Sequence, residues 1–167
     1  HFIHIQYYII KNDVAFNEIK DILIEKAAQG VEVRVLFDAM GCRSVRHSYW
    51  KWLNEKGVQT AEFFPALLRR LQLRINYRNH RKIVVIDNKV AYVGGFNVAK
   101  EYIDLDERFG HWRDTHLRIR GSAVLSLQVR FILDWNYAAG ENLMEKKELF
   151  QGTEAGNRDY CDMQIIS

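Results

Sequence analysis

The chain has 167 residues, of which 48% are apolar, enough for one globular domain with a sizeable core and too many for a disordered segment. Its 24 basic and 21 acidic residues give a net charge of +3, which suits an anionic substrate but does not indicate nucleic-acid binding by itself. Cys42 and Cys161 have no metal-ligand spacing, so we predict two free thiols. The longest apolar stretch, 122–135, is interrupted by Gln128 and Arg130, which argues for a soluble chain without a transmembrane span.

The first part of the chain alternates strands with helices. In order, the pattern predicts a strand at 3–10, a helix that ends at Gly30, a strand at 31–38, a helix around 46–56 and a strand at 58–64. Asn12 or Asp13 is placed to cap the first helix. A strand, helix and strand in succession favour a parallel pair joined by a right-handed crossover.

The second part adds antiparallel pairing. The strands at 82–87 and 90–94 are separated by two residues, a length typical of a tight hairpin. A strand at 115–120 and an apolar-striped helix at 123–137 follow. We therefore predict an α/β fold, a mixed and largely parallel β-sheet flanked by helices, in a single domain over 1–167.

Polar residues surround the hairpin in the segment NHRKIVVIDNKVAYVGGFN (79–97). His80 and Lys82 are two residues apart, so on an extended chain they point to the same side. A phosphate held by the lysine ammonium would then lie against the imidazole, and a neutral imidazole can attack phosphorus. The spacing indicates a phosphoryl-transfer site.

The remaining polar and glycine positions of this segment fit the same chemistry. Gly94 and Gly95 would let the backbone approach a phosphate closely, and the amide of Asn97 could donate to a phosphate oxygen, although Asn97 could also serve only in a turn. Asp87 has the opposite strand parity to His80. We therefore expect Asp87 to be structural.

The pattern of His80, Lys82, Asp87, Gly94, Gly95 and Asn97 resembles the HKD signature of the phospholipase D superfamily. The flanking segments at 7–41, 79–102 and 112–135 extend the resemblance to the first catalytic half of bacterial cardiolipin synthases. The resemblance implies a phospholipase D-like fold and a reaction without metal or cofactor. In that reaction one phosphatidylglycerol gives its phosphatidyl group to a histidine, glycerol leaves, and a second phosphatidylglycerol accepts the group.

The superfamily builds its active site from two such motifs, and this chain has one, because no other histidine is followed two positions later by lysine. The second motif would come from a missing C-terminal half or from a second copy of the chain. The start at His1 without a signal peptide and the ending MQIIS, which resembles the opening strand of the next half, favour an excised piece. We expect the isolated chain to be inactive and the full-length protein to associate with the bacterial cytoplasmic membrane.

Asp114, in HWRDTHL, precedes the strand at 115–120. The superfamily places an acid there to hydrogen-bond the catalytic histidine, so we expect Asp114 to orient His80, with the strand lying beside 82–87. The alternative is a surface salt bridge to Arg113.

Two further alternatives stay open. The basic and apolar stretch at 67–78 suits an anionic bilayer as well as an ordinary connector. The same His-Lys chemistry could serve a homodimeric phosphodiesterase acting on nucleic acid. We expect no nucleic-acid partner, because a nuclease groove calls for more base-stacking aromatics and a larger basic surplus.

Overall fold

The computed structural model describes residues 1–64, 78–152 and 163–165. Within these ranges it contains strands β1 (Phe2–Tyr7), β2 (Glu32–Asp38), β3 (Val58–Phe63), β4 (Ile83–Ile86), β5 (Val90–Gly94) and β6 (His116–Ile119). The α-helices in the same ranges are α1 (Val14–Ala28), α2 (His47–Glu55) and α3 (Ala123–Ala139). The predicted elements are thus present, with ends that shift by at most three residues.

The six strands form one sheet in the order β3-β2-β1-β4-β5-β6. The pairs β1–β2 and β2–β3 are parallel, whereas β1–β4, β4–β5 and β5–β6 are antiparallel. The mixed α/β sheet flanked by helices is confirmed, with a smaller parallel share than expected. The expectation that the strand at 115–120 lies beside β4 is wrong, because β1 and β5 occupy both edges of β4.

Helices cover both faces of the sheet. On one face, α3 packs its apolar stripe against β1, β3, β4 and β5. The stripe consists of Val124, Leu127, Phe131 and Trp135, each at most 2% exposed. On the other face, α1 and α2 help to form a separate cluster of buried apolar side chains, which includes Phe16, Trp50 and Leu53. Each fully buried apolar side chain of this kind contributes roughly 1.5–3 kcal/mol to stability.

Local capping explains where α1 begins and ends. The carboxylate of Asp13 accepts a hydrogen bond from the backbone N–H of Ala15 at 3.0 Å, which identifies Asp13 as the N-cap. After the last helical residue, Gly30 adopts a φ of +85°, a value that costs a glycine little.

The turn between β4 and β5 lies at the opposite end of β4 from His80. Asp87 and Asn88 both have a φ of 53°, as tight hairpin turns often require, and the loop therefore includes Asp87 as well as the two predicted residues. The Asp87 carboxylate accepts from the backbone N–H of Phe2 at 2.6 Å and contacts Nδ1 of His1 at 2.8 Å. These contacts are consistent with the structural role predicted for Asp87.

Several predictions concern residues at the margins of the described ranges. The stretch 67–77 and Cys161 lie outside them. Cys42 is a free thiol, and burial raises its pKa to about 12. Met163–Ile165 have no regular secondary structure. None of the helices in the described ranges is both long and apolar enough to span a bilayer.

Candidate active site

The predicted site residues meet at one end of the sheet. Strand register places Gln6, near the carboxyl end of β1, opposite Ile83 at the amino end of β4. Ile83 in turn pairs with Val93, and Gly94 pairs with His116 at the start of β6. The segments 79–82, 94–97 and 114–116 are therefore neighbours in space, although up to 37 positions separate them in sequence.

His80 and Lys82 are in direct contact. The ammonium nitrogen of Lys82 lies 2.8 Å from Nδ1 and 3.3 Å from Nε2 of the His80 ring, and it donates to the His80 carbonyl oxygen at 2.8 Å. Lys82 is only 3% exposed, whereas His80 is exposed. The prediction that both side chains point to the same side is confirmed by these distances.

The charge states of His80 and Lys82 favour the binding of an anion. Burial lowers the pKa of Lys82 to about 8, and the nearby charge of Asp114 opposes this shift. Burial and the Lys82 charge lower the pKa of His80, against a smaller opposing effect of Asp38. At neutral pH the site therefore holds a neutral imidazole beside an ammonium group, which is the arrangement that nucleophilic attack on a phosphate needs.

Tyr8 is a site residue that the motif search missed. Its ring centroid lies 4.6 Å from that of His80, with the ring planes at 45°, and 5.6 Å from the Lys82 ammonium nitrogen. The ring covers one side of the pair and limits where the imidazole can rotate. The available signal was its position directly after β1, at the edge where the site forms.

The two glycines of the motif have a packing role within the chain. A Cβ on Gly94 would lie 2.4 Å from the carbonyl oxygen of Thr115, and one on Gly95 would lie 1.9 Å from a carboxylate oxygen of Asp114. A Cβ at Gly94 would therefore clash with fixed backbone, and one at Gly95 would displace the Asp114 carboxylate. Gly94 and Gly95 therefore let the segment before β6 approach β5, so that Asp114 reaches the site.

The predicted hydrogen bond between Asp114 and His80 is absent, although both residues are described. Oδ1 of Asp114 instead accepts from the backbone N–H of Thr115 at 2.7 Å, and the carboxylate acts on Lys82 and His116 through its charge. The structure thus shows no direct bond from Asp114 that would orient His80, and the role predicted for Asp114 at the catalytic histidine stays a prediction. Lys82 lies against both His80 ring nitrogens, in the place expected for the carboxylate.

Asn97 is 7% exposed and joins two segments. Its Oδ1 accepts from the backbone N–H of Ile9 at 3.0 Å, and its Nδ2 donates to the Tyr102 hydroxyl at 2.8 Å. One amide N–H is left for another acceptor. The contact with phosphate predicted for Asn97 stays a prediction.

A buried polar network supports the segment that carries His80. Oδ2 of Asp134 accepts from Gln6 at 2.7 Å and from Asn79 at 3.0 Å, and the Asn79 side-chain oxygen accepts from Gln6 at 2.7 Å. Arg81 and Arg130 also pair with Asp134. The backbone N–H of Asn79 donates to Asp38 at 3.2 Å. These bonds fix the chain immediately before the histidine.

Comparison with known proteins identifies the family. The profile described as "Cardiolipin synthase, PLD-like domain" matches residues 1–110. The chain belongs to this family. It is 49% identical over 165 residues to a cardiolipin synthase of Oceanobacillus iheyensis, covering 99% of this chain and 34% of the relative. It is 54% identical over 137 residues to the major cardiolipin synthase ClsA of Bacillus subtilis, covering 82% of this chain and 28% of the relative.

The chain thus spans about a third of the length of these relatives. Two solved structures share its fold. Nuc, a phospholipase D family member from Salmonella typhimurium, has a TM-score of 0.55 at 16% identity and covers 82% of this chain and 79% of its own. NucT from Helicobacter pylori has a TM-score of 0.61 at 15% identity, with 82% and 80% covered. The phospholipase D-like architecture predicted from the motif is confirmed.

Proposed function

We propose that this chain is one catalytic half of a cardiolipin synthase, which transfers a phosphatidyl group between two phosphatidylglycerol molecules. The observation that carries the proposal is the contact between His80 and Lys82, a neutral imidazole 2.8 Å from a buried ammonium group. The chain's membership of the cardiolipin synthase family supports a lipid substrate. A phosphodiester presents the anionic oxygens that Lys82 would bind.

The reaction has two displacements on phosphorus. In the first, a histidine nitrogen forms a bond to phosphorus, the bond from phosphorus to the glycerol oxygen breaks, and a second histidine supplies a proton to the leaving oxygen. In the second displacement, the histidine that gave up its proton acts as a base and takes the proton of a hydroxyl of another phosphatidylglycerol. That hydroxyl oxygen attacks phosphorus, and the bond between phosphorus and the first histidine breaks. His80 is one of these two histidines, and the other belongs to a second motif.

The second motif would come from another part of a longer chain or from a second copy of this one. The full protein would work at the surface of the bacterial cytoplasmic membrane, where its substrate is. In this proposal neither a metal nor a cofactor takes part, because the histidines move the protons and Lys82 neutralises the phosphate.

The other motif residues have supporting roles in the proposal. Asn97 would donate its remaining amide N–H to a phosphate oxygen, and the backbone at Gly94 and Gly95 would border the phosphate. Asp114 would keep Lys82 protonated, since its charge raises the pKa of that ammonium group. Tyr8 would hold the His80 ring in place through the 4.6 Å ring contact.

A vesicle assay tests the proposal. The 167-residue chain and a longer protein with a second motif would be mixed with phosphatidylglycerol vesicles, and cardiolipin would be measured by mass spectrometry. We expect cardiolipin from the longer protein, none from the monomeric chain, and none from the longer protein with His80→Ala. His1→Ala is the matched control, because His1 is exposed and lies at the opposite end of β1.

The assay also separates the alternatives. Turnover by the isolated chain that rises with the square of its concentration would support a homodimer. Cleavage of single-stranded DNA without any cardiolipin would overturn the lipid substrate in favour of a phosphodiesterase. Full turnover by the His80→Ala variant would overturn the assignment of His80.

A further inference from the structure

A second cleft lies outside the catalytic residues. It has a volume of about 620 Å³ and opens between the start of α1, the start of α2 and Lys100. Its lining includes Lys11, Ser44, Arg46, Tyr49, Trp52 and Lys100. None of the residues placed in the active site lines it. A volume of this size is typical of small-ligand sites.

The cleft carries a positive surplus. Lys11 pairs with Glu101 and Lys100 with Asp106, yet the two lysine side chains remain 38% and 43% exposed. Arg46 is exposed and has no ion-pair partner among the described residues. A guanidinium without a carboxylate partner is suited to bind phosphate oxygens through two hydrogen bonds.

The acidic side chain that lines the cleft is already occupied. Asp13 accepts from the backbone N–H of Ala15 at 3.0 Å through one oxygen and from the backbone N–H of Lys100 at 2.9 Å through the other. It therefore acts as a fixed link between α1 and Lys100 rather than as a partner for Arg46. Arg46 is therefore left available to a ligand, with the partly exposed ammonium groups of Lys11 and Lys100 adding positive charge around it.

One wall of the cleft is aromatic and contains an unused hydrogen-bonding group. The rings of Tyr49 and Trp52 lie 5.7 Å apart at 31°. The Tyr49 hydroxyl is buried and has no hydrogen-bond partner among the described residues. A buried hydroxyl of this kind costs stability unless something accepts its proton, which points to a ligand oxygen. The ring faces suit the carbon atoms of a glycerol unit.

We infer that this cleft binds a glycerophosphate group, with Arg46 and Lys11 on the phosphate oxygens and Tyr49 donating to an oxygen of the same ligand. The glycerophosphate could belong to an anionic phospholipid or be free in solution. If the proposed function holds, the site would keep a second lipid headgroup beside the catalytic centre. The backbone already joins the two places, because Lys11 N–H donates to Val98 at 2.9 Å, next to Asn97.

Binding should be measured in a catalytically disabled protein. The double variant His80→Ala, Lys82→Met removes phosphate binding at the active site and leaves the cleft intact. Glycerol 3-phosphate would be titrated by calorimetry, and phosphatidylglycerol and phosphatidylcholine vesicles would be compared by co-sedimentation. Saturable binding of glycerol 3-phosphate supports a site for the free group, and binding of phosphatidylglycerol vesicles alone supports the lipid headgroup.

Matched substitutions locate the binding. In this background Arg46→Gln should weaken affinity about tenfold, as loss of a charge-assisted hydrogen bond does, and Tyr49→Phe should weaken it by a smaller factor. Arg43→Gln is the control, because Arg43 is exposed and does not line the cleft. We expect it to change affinity less than twofold. Thermal unfolding of each variant would show that the fold is kept.

Two outcomes would overturn the inference. One is an equal loss with Arg43→Gln and Arg46→Gln, which would indicate attraction by general surface charge. The other is the absence of binding to both probes in the disabled protein when the unmodified chain binds them, which would assign all binding to the active site. Both readings are independent of cardiolipin formation, so a failure of the proposed function leaves this test intact.

Discussion

The catalytic pair and the polar network beneath it meet at the segment 79–82, yet the buried charge has different surroundings in each. Asp134, 2% exposed, is surrounded by donors from Gln6, Asn79, Arg81 and Arg130. Lys82 is similarly buried at 3% exposure, but its ammonium group contacts the His80 ring and carbonyl oxygen and, among the described residues, no carboxylate oxygen.

This difference between Asp134 and Lys82 predicts that one residue acts mainly in stability and the other mainly in catalysis. A buried carboxylate with several donors holds its surroundings in one arrangement, and removing it leaves those donors unpaired. A buried ammonium group without a carboxylate has a lowered pKa and binding capacity left for a substrate anion. The network should therefore control folding, and the pair should control rate.

The largest expected effect on stability is at Asp134. Asp134→Ala should lower the free energy of unfolding by about 3–5 kcal/mol, because two arginines and two amides lose their shared acceptor. Urea unfolding followed by circular dichroism would measure this. Ser126→Ala, at an exposed position of the same helix, is the control and should change stability little. A loss at Asp134 no larger than at Ser126 would show that the network is not stabilising.

Substitution of Lys82 should lower turnover without lowering stability. In a protein with both motifs, Lys82→Ala should reduce turnover about 10²–10³-fold, as removal of one donor to a developing negative charge does. Its free energy of unfolding should stay the same or rise, since an unpaired buried charge is removed. Lys89→Ala, at an exposed turn position, should affect neither quantity. A large fall in the stability of Lys82→Ala with little change in its turnover would contradict the catalytic role of Lys82.

The pH dependence of stability should report the same unpaired charge. The pKa of Lys82 is about 8 in the folded chain, below its usual value of about 10.5. The unfolded state therefore binds more protons between about pH 8 and 10.5, so Lys82 should make stability rise with pH across this range. Below pH 8 the cost of burying the charge is fully present. Unfolding curves at several pH values should show a smaller rise for Lys82→Met than for the unmodified chain.

Alanine substitutions at the two motif glycines should distinguish a packing effect from an electrostatic effect. Gly94→Ala places a Cβ against the Thr115 backbone and should cost about 1–3 kcal/mol of stability. Gly95→Ala meets only the Asp114 carboxylate, which can turn away. We expect a smaller stability loss for Gly95→Ala and an alkaline limit of activity that moves to lower pH, because Lys82 loses the charge that raises its pKa. An unchanged pH profile would remove Asp114 from the site.

The smallest effect is expected at Asp87. Asp87→Ala removes an acceptor from the Phe2 backbone N–H and should cost about 1 kcal/mol of stability. The turnover per folded molecule should not change, because Asp87 lies at the far end of β4 from His80. Rates normalised to the folded fraction would test this, and a rate loss above about tenfold would contradict the structural role.

Local patterns in the sequence determined much of this protein. The six strands and three helices follow from β-branched runs, apolar stripes and capping residues, all of which act between near neighbours. The contact between His80 and Lys82 also follows from a spacing of two along an extended chain. The motif positions were therefore visible before the fold was known.

Only the tertiary structure decided how distant segments meet. Tyr8 reaches His80 because β1 and β4 are antiparallel neighbours, and Asp134 reaches Asn79 because α3 covers that face of the sheet. Asp114 acts on Lys82 rather than bonding to His80, since β6 pairs with β5 and its approach depends on Gly95. The separations along the chain are 72 positions for Tyr8 and His80, 55 for Asn79 and Asp134, and 32 for Lys82 and Asp114. Sequence periodicity carries no information at such separations.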